Sequence, residues 1–307
     1  MIRRSYALIV LGVGLAVLVA SVLKLLPGGL ALGGGLAFLG CLMLGLSFVP
    51  VKPTPEDAPP PMSAVERIAG MFYQPARVYE SLRARPHWLA ALLLIAVLSF
   101  AYTQAFVRRL TPERIAEFTT SKVVESGFVQ PEMAEKMKQD QVDAAKSPIR
   151  VVGSGVNQFV SMFVVMAILG ALFMLAVMMF GGRIGYWQAF AMAIHSAVPI
   201  VIIQRLLSLA ILYVKDPEGI HPLLGQETLV TDNLGVLFSP AEHPVLFSMA
   251  TFIGVLSFYR LWLMATGFRH TGERVSSTSS WAIAIIFWLL GLIIAVASSA
   301  LFGNFLS

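Results

Sequence analysis

The stretch VGSGVNQFVSMFVVMAILGALFMLAVMMF, Val152–Phe180, decides the fold. Its 29 residues include no Asp, Glu, Lys or Arg. A helix of roughly 20 apolar residues crosses the hydrocarbon layer of a bilayer. Inside that layer no water is available to backbone N–H and C=O groups, so a single spanning segment satisfies them as a helix.

Working outward, six further segments read the same way: Tyr6–Leu26, Gly29–Val49, Trp88–Val107, Trp187–Val214, Val245–Phe268 and Trp281–Phe302. None contains Asp or Glu. Trp88, Trp187 and Trp281 stand at predicted membrane entries, where indole favours the headgroup zone. The fold class is therefore all-α, a polytopic transmembrane bundle of about seven helices. Composition agrees: 57% of residues are hydrophobic and 13% charged, with a mean hydropathy of +0.78. About 25% charge is usual for a soluble domain. The net charge of +5 comes without a basic block, which argues against nucleic-acid binding. A single cysteine, Cys41, rules out an intrachain disulfide framework or a cysteine-based metal site. The basic start at Arg3 and Arg4 resembles a signal peptide, but the apolar run is long and a second follows at once, so a retained helix is expected.

The first two spans carry small residues four apart: Gly12, Ala16 and Ala20 on one, Gly33, Ala37, Cys41 and Gly45 on the other. Such ladders let helices approach closely. The short turn at Pro27–Gly28 predicts an antiparallel hairpin over 1–50, with homodimerisation through one ladder as the alternative. Residues 51–62 hold Pro53, Pro55, Pro59, Pro60 and Pro61, an extended linker and the expected domain boundary. Residues 63–307 form the second domain.

Ser63 and Glu66 make a capping box, so a helix starts at about Ala64 with Val65, Ile68, Ala69 and Phe72 on one face. A second short helix begins at Pro75, with Val78, Tyr79 and Leu82 apolar. Arg67, Arg77, Arg83 and Arg85 line the polar side and are candidate headgroup contacts. Over 63–86 two readings stand: an amphipathic segment lying in the interface on anionic headgroups, or helices docked on the protein's own loops.

Residues 108–150 carry eight basic and seven acidic residues. Thr111-Pro112-Glu113 opens a helix, Gly127 stops it, and Pro131–Glu132 opens another that ends before Pro148: an extramembrane helical hairpin. Residues 215–243, rich in Pro and Gly, read as an irregular polar loop on the same side. The short connections place Arg3, Arg4, Lys52, Arg67, Arg77, Arg83, Arg85, Arg183, Arg269 and Arg274 on one side. The positive-inside rule makes that side cytoplasmic, with the amino terminus inside and the carboxyl terminus outside. Lys24, the 108–150 segment and Lys215 fall outside.

No catalytic or nucleotide-binding motif is present, and a non-enzymatic protein without cofactor or metal is expected. His221 and His243 share a loop with Asp216, Glu218, Asp232 and Glu242, but their spacing is not a ligand pattern. The candidate functional groups are instead polar residues at membrane depth: His195, Arg205, Arg260, Gln158 and Asn157. A charge there costs on the order of 2.5–3.5 kcal/mol on insertion scales. Arg260 is explained by snorkelling towards the cytoplasmic end. Arg205 calls for a partner: a backbone carbonyl, Gln158 or a lipid phosphate. Pro199 lies six residues before it. Arg205 and His195 either line a polar interhelical cavity or serve as structural hydrogen-bonding groups.

Several stretches resemble the Yip1 domain family. Met71-Phe-Tyr-Gln-Pro75 through Arg85-Pro-His-Trp88 is similar to its entry motif: an aromatic pair, a proline, a short amphipathic helix, and Arg-Pro-x-Trp leading into a membrane pass. Gly181-Gly-Arg183, Gln188-Ala189 and His195-Ser-Ala-Val-Pro199 resemble its Gly-rich turn and proline-bearing helix. Asn233-Leu-Gly235 and Trp262-Leu-Met-Ala-Thr-Gly267-Phe268 resemble its loop motif and penultimate helix. The resemblance runs from about Ser63 to Phe302 and leaves the amino-terminal hairpin outside. It implies five membrane helices, a cytosolic amino-terminal side, and a membrane-organising or scaffold role. Eukaryotic members are linked to vesicle traffic and prenylated small GTPases. No long polar domain precedes Tyr6, so GTPase binding is not carried over. The alternative role is a lipid or small-molecule transporter. Expected partners are membrane lipids, with other membrane proteins or a second copy of the chain as further options. Low Lys with high Ala, Gly and Arg points to a bacterial inner membrane.

Overall fold

The computed structural model describes residues 4–50, 53–54, 58, 60–125, 127, 129–240 and 242–302. The side chain of Phe302 is not included. Arg3, Lys52, Pro55 and Pro59, used above for topology and for the linker, lie outside the described residues, as do residues 303–307. The chain is all-α and forms two compact units, interleaved in sequence.

The first unit comprises 1–100, 144–195 and 270–275. It holds α1 (Arg4–Val22), α2 (Leu30–Leu46), α3 (Ala64–Tyr73), α4 (Pro75–Ala84), the first half of α5 (Leu89–Leu110), α8 (Pro148–Met179) and the start of α9 (Tyr186–Val214). The second unit comprises 101–143, 196–269 and 276–307. It holds the remainder of α5 and of α9, with α6 (Pro112–Glu125), α7 (Pro131–Lys146), short α10 (Leu224–Glu227), α11 (Pro244–Thr251), α12 (Val255–Thr271) and α13 (Ser277–Phe302). Among the described residues five helices are long and apolar enough to span a bilayer: α1, α5, α8, α9 and α13. α2 is apolar but only 17 residues long.

Local chemistry sets most boundaries. Ser63 caps α3; prolines open α4, α6, α7 and α8; Gly127, at φ +75°, follows the end of α6. The starts of α3, α4, α6 and α7 and the stop at Gly127 match the sequence reading, whereas Pro148, read there as ending the preceding helix, also opens α8 ahead of the span start expected at Val152.

Three features differ from it. First, α1 meets α2 through small residues seven apart rather than four, while Gly33 and Ala37 of the predicted α2 ladder do lie at the contact. Ala7, Gly14 and Ser21 of α1 are buried, with Gly33 and Gly40 of α2. A Cβ on Gly14 would lie 2.3 Å from the Ala37 nitrogen, whereas Gly12 and Gly45 face open space. Two helices crossing at a small angle meet every second turn, which selects the seven-residue spacing. The hairpin also packs along α8: a Cβ on Gly35 would lie 2.2 Å from the Asn157 side-chain oxygen.

Second, Trp88 and Trp187 stand at the starts of α5 and α9 as read, but protein rather than headgroups covers them. They stack at 6.5 Å in a cluster with Phe163, Phe190 and Tyr186, and Trp187 Nε1 donates to the Val49 carbonyl at 3.2 Å. Trp281 remains 40% exposed.

Third, the predicted span Val245–Phe268 is broken. α11 ends at Thr251 and α12 starts at Val255. The Asp232 carboxylate accepts from Leu256 N–H at 2.7 Å, and the Asp232 carbonyl accepts from Val255 N–H at 3.3 Å. These N–H groups at the start of α12 have no partner within their own helix. Gly254 permits the approach, since a Cβ there would lie 2.7 Å from Asn233 Cβ.

Candidate functional site

The amphipathic entry to the membrane domain carries an apolar stripe on α3 that internal packing leaves exposed. α3 begins with both bonds of the capping box in place: Ser63 N–H donates to Glu66 Oε2 at 2.6 Å, and Glu66 N–H donates to Ser63 Oγ at 3.2 Å. The Ser63 backbone N–H, and next the Ser63 side chain, hold the Glu66 carboxyl below its ordinary value. Arg67 turns inward. It is buried, and its guanidinium donates to the Met62 carbonyl. Burial lowers its pKa. Arg67 is thus an internal tether, which corrects its assignment as a headgroup contact. Gly70 sits against α4, where a Cβ would lie 2.7 Å from Val78 Cγ2. With Arg67, Gly70 and Met71 inward, the apolar stripe of α3 is left outside. Val65 is 76% exposed, Tyr73 67% and Phe72 41%.

α4 is arranged the other way. Val78, Tyr79 and Leu82 are fully buried, and its polar side is outward. Arg77 is exposed, its Nη1 3.4 Å from Gln74 Oε1. Arg83 is 4.0 Å from Glu273 with its side chain half exposed, and Arg85 is half-buried. The Arg83 carbonyl accepts from Gln188 Nε2. His270 Nδ1 is 2.9 Å from Glu80 Oε1, and Arg183 and Glu273 exchange both backbone hydrogen bonds. Arg83, Arg183 and Glu273, from segments assigned to one side of the membrane, therefore come together. Burial and the Arg67 cation push the His87 imidazole, in the α4–α5 turn, below its ordinary pKa.

The polar residues predicted at membrane depth have separate partners. In the first unit, His195 is buried, with Nδ1 2.8 Å from the Ala191 carbonyl of its own helix. Asn157 faces Gly35 at the α2–α8 contact, and Gln158 is half-buried on α8. In the second unit, Arg205 donates to the Glu227 carbonyl and lies 5.0 Å over the Tyr102 ring. Tyr102 donates to the Gly225 carbonyl, and Ser208 Oγ accepts from Leu229 N–H at 3.0 Å. Arg205 thus finds a backbone carbonyl, one of the partners anticipated for it. With 29 residues α9 rises about 43 Å, more than the roughly 30 Å of hydrocarbon, so its distal turns reach beyond the apolar layer. Arg260 is exposed on α12, 11 residues before its end.

Sequence reasoning missed two polar elements of the second unit. One is Asp232, whose role depends on Gly254 and Leu256, more than twenty positions away. The other is a groove of about 570 Å³ lined by Arg114, Phe118, Glu218 and His221, among others. Its Arg114 donates to the carbonyls of Pro217, Glu218 and Ile220, while His221 Nδ1 accepts from Leu223 and Leu224 N–H. An Asp-Pro-Glu-Gly loop opposite a lone arginine carried no signal of either pairing.

No curated protein and no solved structure matches the chain. The sequence model of the Yip1 domain matches residues 69–298, which take in the entry motif from Met71 to Trp88, the broken α11–α12 and most of α13. This integral membrane protein belongs to the Yip1 domain family.

Proposed function

We propose that this protein is a non-enzymatic membrane-organising factor that acts on one leaflet through α3. The observation carrying this reading is the exposed stripe of Val65, Ala69, Phe72 and Tyr73, on a helix packed against α4 at Gly70. A helix of this kind lies with its apolar face about 5–10 Å into the headgroup boundary and expands that leaflet. Arg77 and Arg83 flank it with exposed positive charge suited to anionic headgroups. The location is a bacterial inner membrane with α3 on the cytoplasmic side, and the lipids of that leaflet are the partners. The test is reconstitution into liposomes containing anionic phospholipid, with vesicle diameter measured at fixed protein-to-lipid ratio. Wild type shifts the diameter and the Val65→Ser/Phe72→Ser double variant does not. Equal diameters for the two proteins overturn the reading.

A second reading, transport, is favoured by the break between α11 and α12. Transporters place discontinuous helices at their substrate and ion sites. On this reading reconstituted protein carries lipid or a small solute across the bilayer, and Asp232→Asn slows it.

A further inference from the structure

We infer that residues 232–238 are not part of an external loop but a re-entrant segment seated among the lipid acyl chains. The depth of this segment follows from its partners on α11 and α13. Phe252, at the break after α11, packs its ring on Trp288 at 6.1 Å and lies against Gly291. Those residues are 11 and 14 positions into the 26-residue α13. At 1.5 Å per residue this is about 16–21 Å from either end of a helix about 39 Å long, the middle of the apolar layer. Residues 232–234 are hydrogen-bonded to this same level: Leu234 N–H donates to the Ile253 carbonyl at 3.0 Å, and Asn233 bridges Gly254.

Surface chemistry agrees with depth. Leu234 is 45% exposed, Val236 68% and Leu237 70%. They continue a face made by Ile253 and Val255, and at this level α13 also presents exposed Leu290 and Ile293. Water would leave this apolar tip unpaired; acyl chains cover it as they cover α13.

Backbone accounting agrees too. Irregular backbone is excluded from hydrocarbon unless its polar groups are satisfied by protein. Here Gly235 N–H donates to Asn233 Oδ1 and Phe238 N–H to the Gly235 carbonyl. Val255 and Leu256 N–H are taken by Asp232. Asp232 therefore brings a carboxylate to membrane depth, in a chain whose spanning segments carry none.

The test uses the full chain in a Cys41→Ala background, with single cysteines at Val236→Cys and Leu237→Cys and a control at Glu218→Cys. In proteoliposomes, a water-soluble maleimide labels the control rapidly and both test positions at least tenfold more slowly. A bimane fluorophore attached at position 236 or 237 is quenched by mid-chain-brominated phospholipid, and one at 218 is not. Both test side chains point away from the protein, so folding survives the changes. Labelling of 236 and 237 at the rate of 218 overturns the inference. Slow labelling without quenching overturns it equally, since that outcome means cover by protein.

Discussion

α3 and α4 are neighbouring ten-residue helices with the same kind of sequence, an apolar stripe beside arginines, yet they face opposite ways. α4 buries Val78, Tyr79 and Leu82 in the membrane domain and turns Arg77 and Arg83 outward. α3 buries Arg67, Gly70 and Met71 and leaves Val65 and Phe72 outside. Amphipathicity states that a helix has an apolar face; it does not say whether protein or lipid covers it. The difference lies in what stands opposite. Gly70 lets α3 approach α4 closely, and the Met62 carbonyl gives the buried Arg67 guanidinium a partner beside Met71 on the inner side.

The largest break in this comparison comes from truncating one apolar side chain on each helix. Leu82→Ala on α4 costs about 2–5 kcal/mol of stability, because a fully buried leucine leaves a cavity. Phe72→Ala on α3, where the ring is already 41% exposed, costs less, about 1 kcal/mol in detergent. Denaturant titration of the purified protein checks both. Comparable losses at the two positions would mean that both helices are docked.

A smaller effect isolates the start of α3. The Glu66 carboxyl is held below its ordinary value of 4.5, so the unfolded segment takes up a proton at higher pH than the folded one. The capping contribution is whole above that value and is lost as pH falls through the lower folded one. Hydrogen exchange at the Glu66 and Arg67 amides, which donate to Ser63, is therefore steady from pH 7 to about 5 after correction for intrinsic rates, and accelerates below. Ser63→Ala, which removes the hydroxyl acceptor, speeds exchange there about fivefold at pH 7 and leaves α4 unchanged.

What was legible in the sequence was local. The capping box at Ser63, the prolines that open α4, α6 and α7, and the apolar runs of α1, α5, α8, α9 and α13 each act within a turn or along one helix. The remainder depends on distant partners. The Gly12–Ala16–Ala20 ladder was as plausible a contact as Ala7–Gly14–Ser21 until Ala37 is seen against Gly14. Hydropathy carried the predicted sixth span through Gly254, because nothing near that residue announces Asp232 and Asn233. Arg205 looked costly because its acceptor, the Glu227 carbonyl, lies 22 residues on. That protein covers Trp88 is not legible at the α5 entry, because its aromatic neighbours Phe163 and Phe190 come from α8 and α9.

The central claim is that lipid covers the outer stripe of α3. Its most direct test is a spin-label scan of positions 64–73 in anionic proteoliposomes, comparing collision with oxygen and with a water-soluble nickel complex. The account predicts a helical period, with labels at 65, 69 and 72 favouring oxygen and the label at 66 favouring nickel. Nickel access at 65, 69 and 72 equal to that at exposed Arg77 would contradict it.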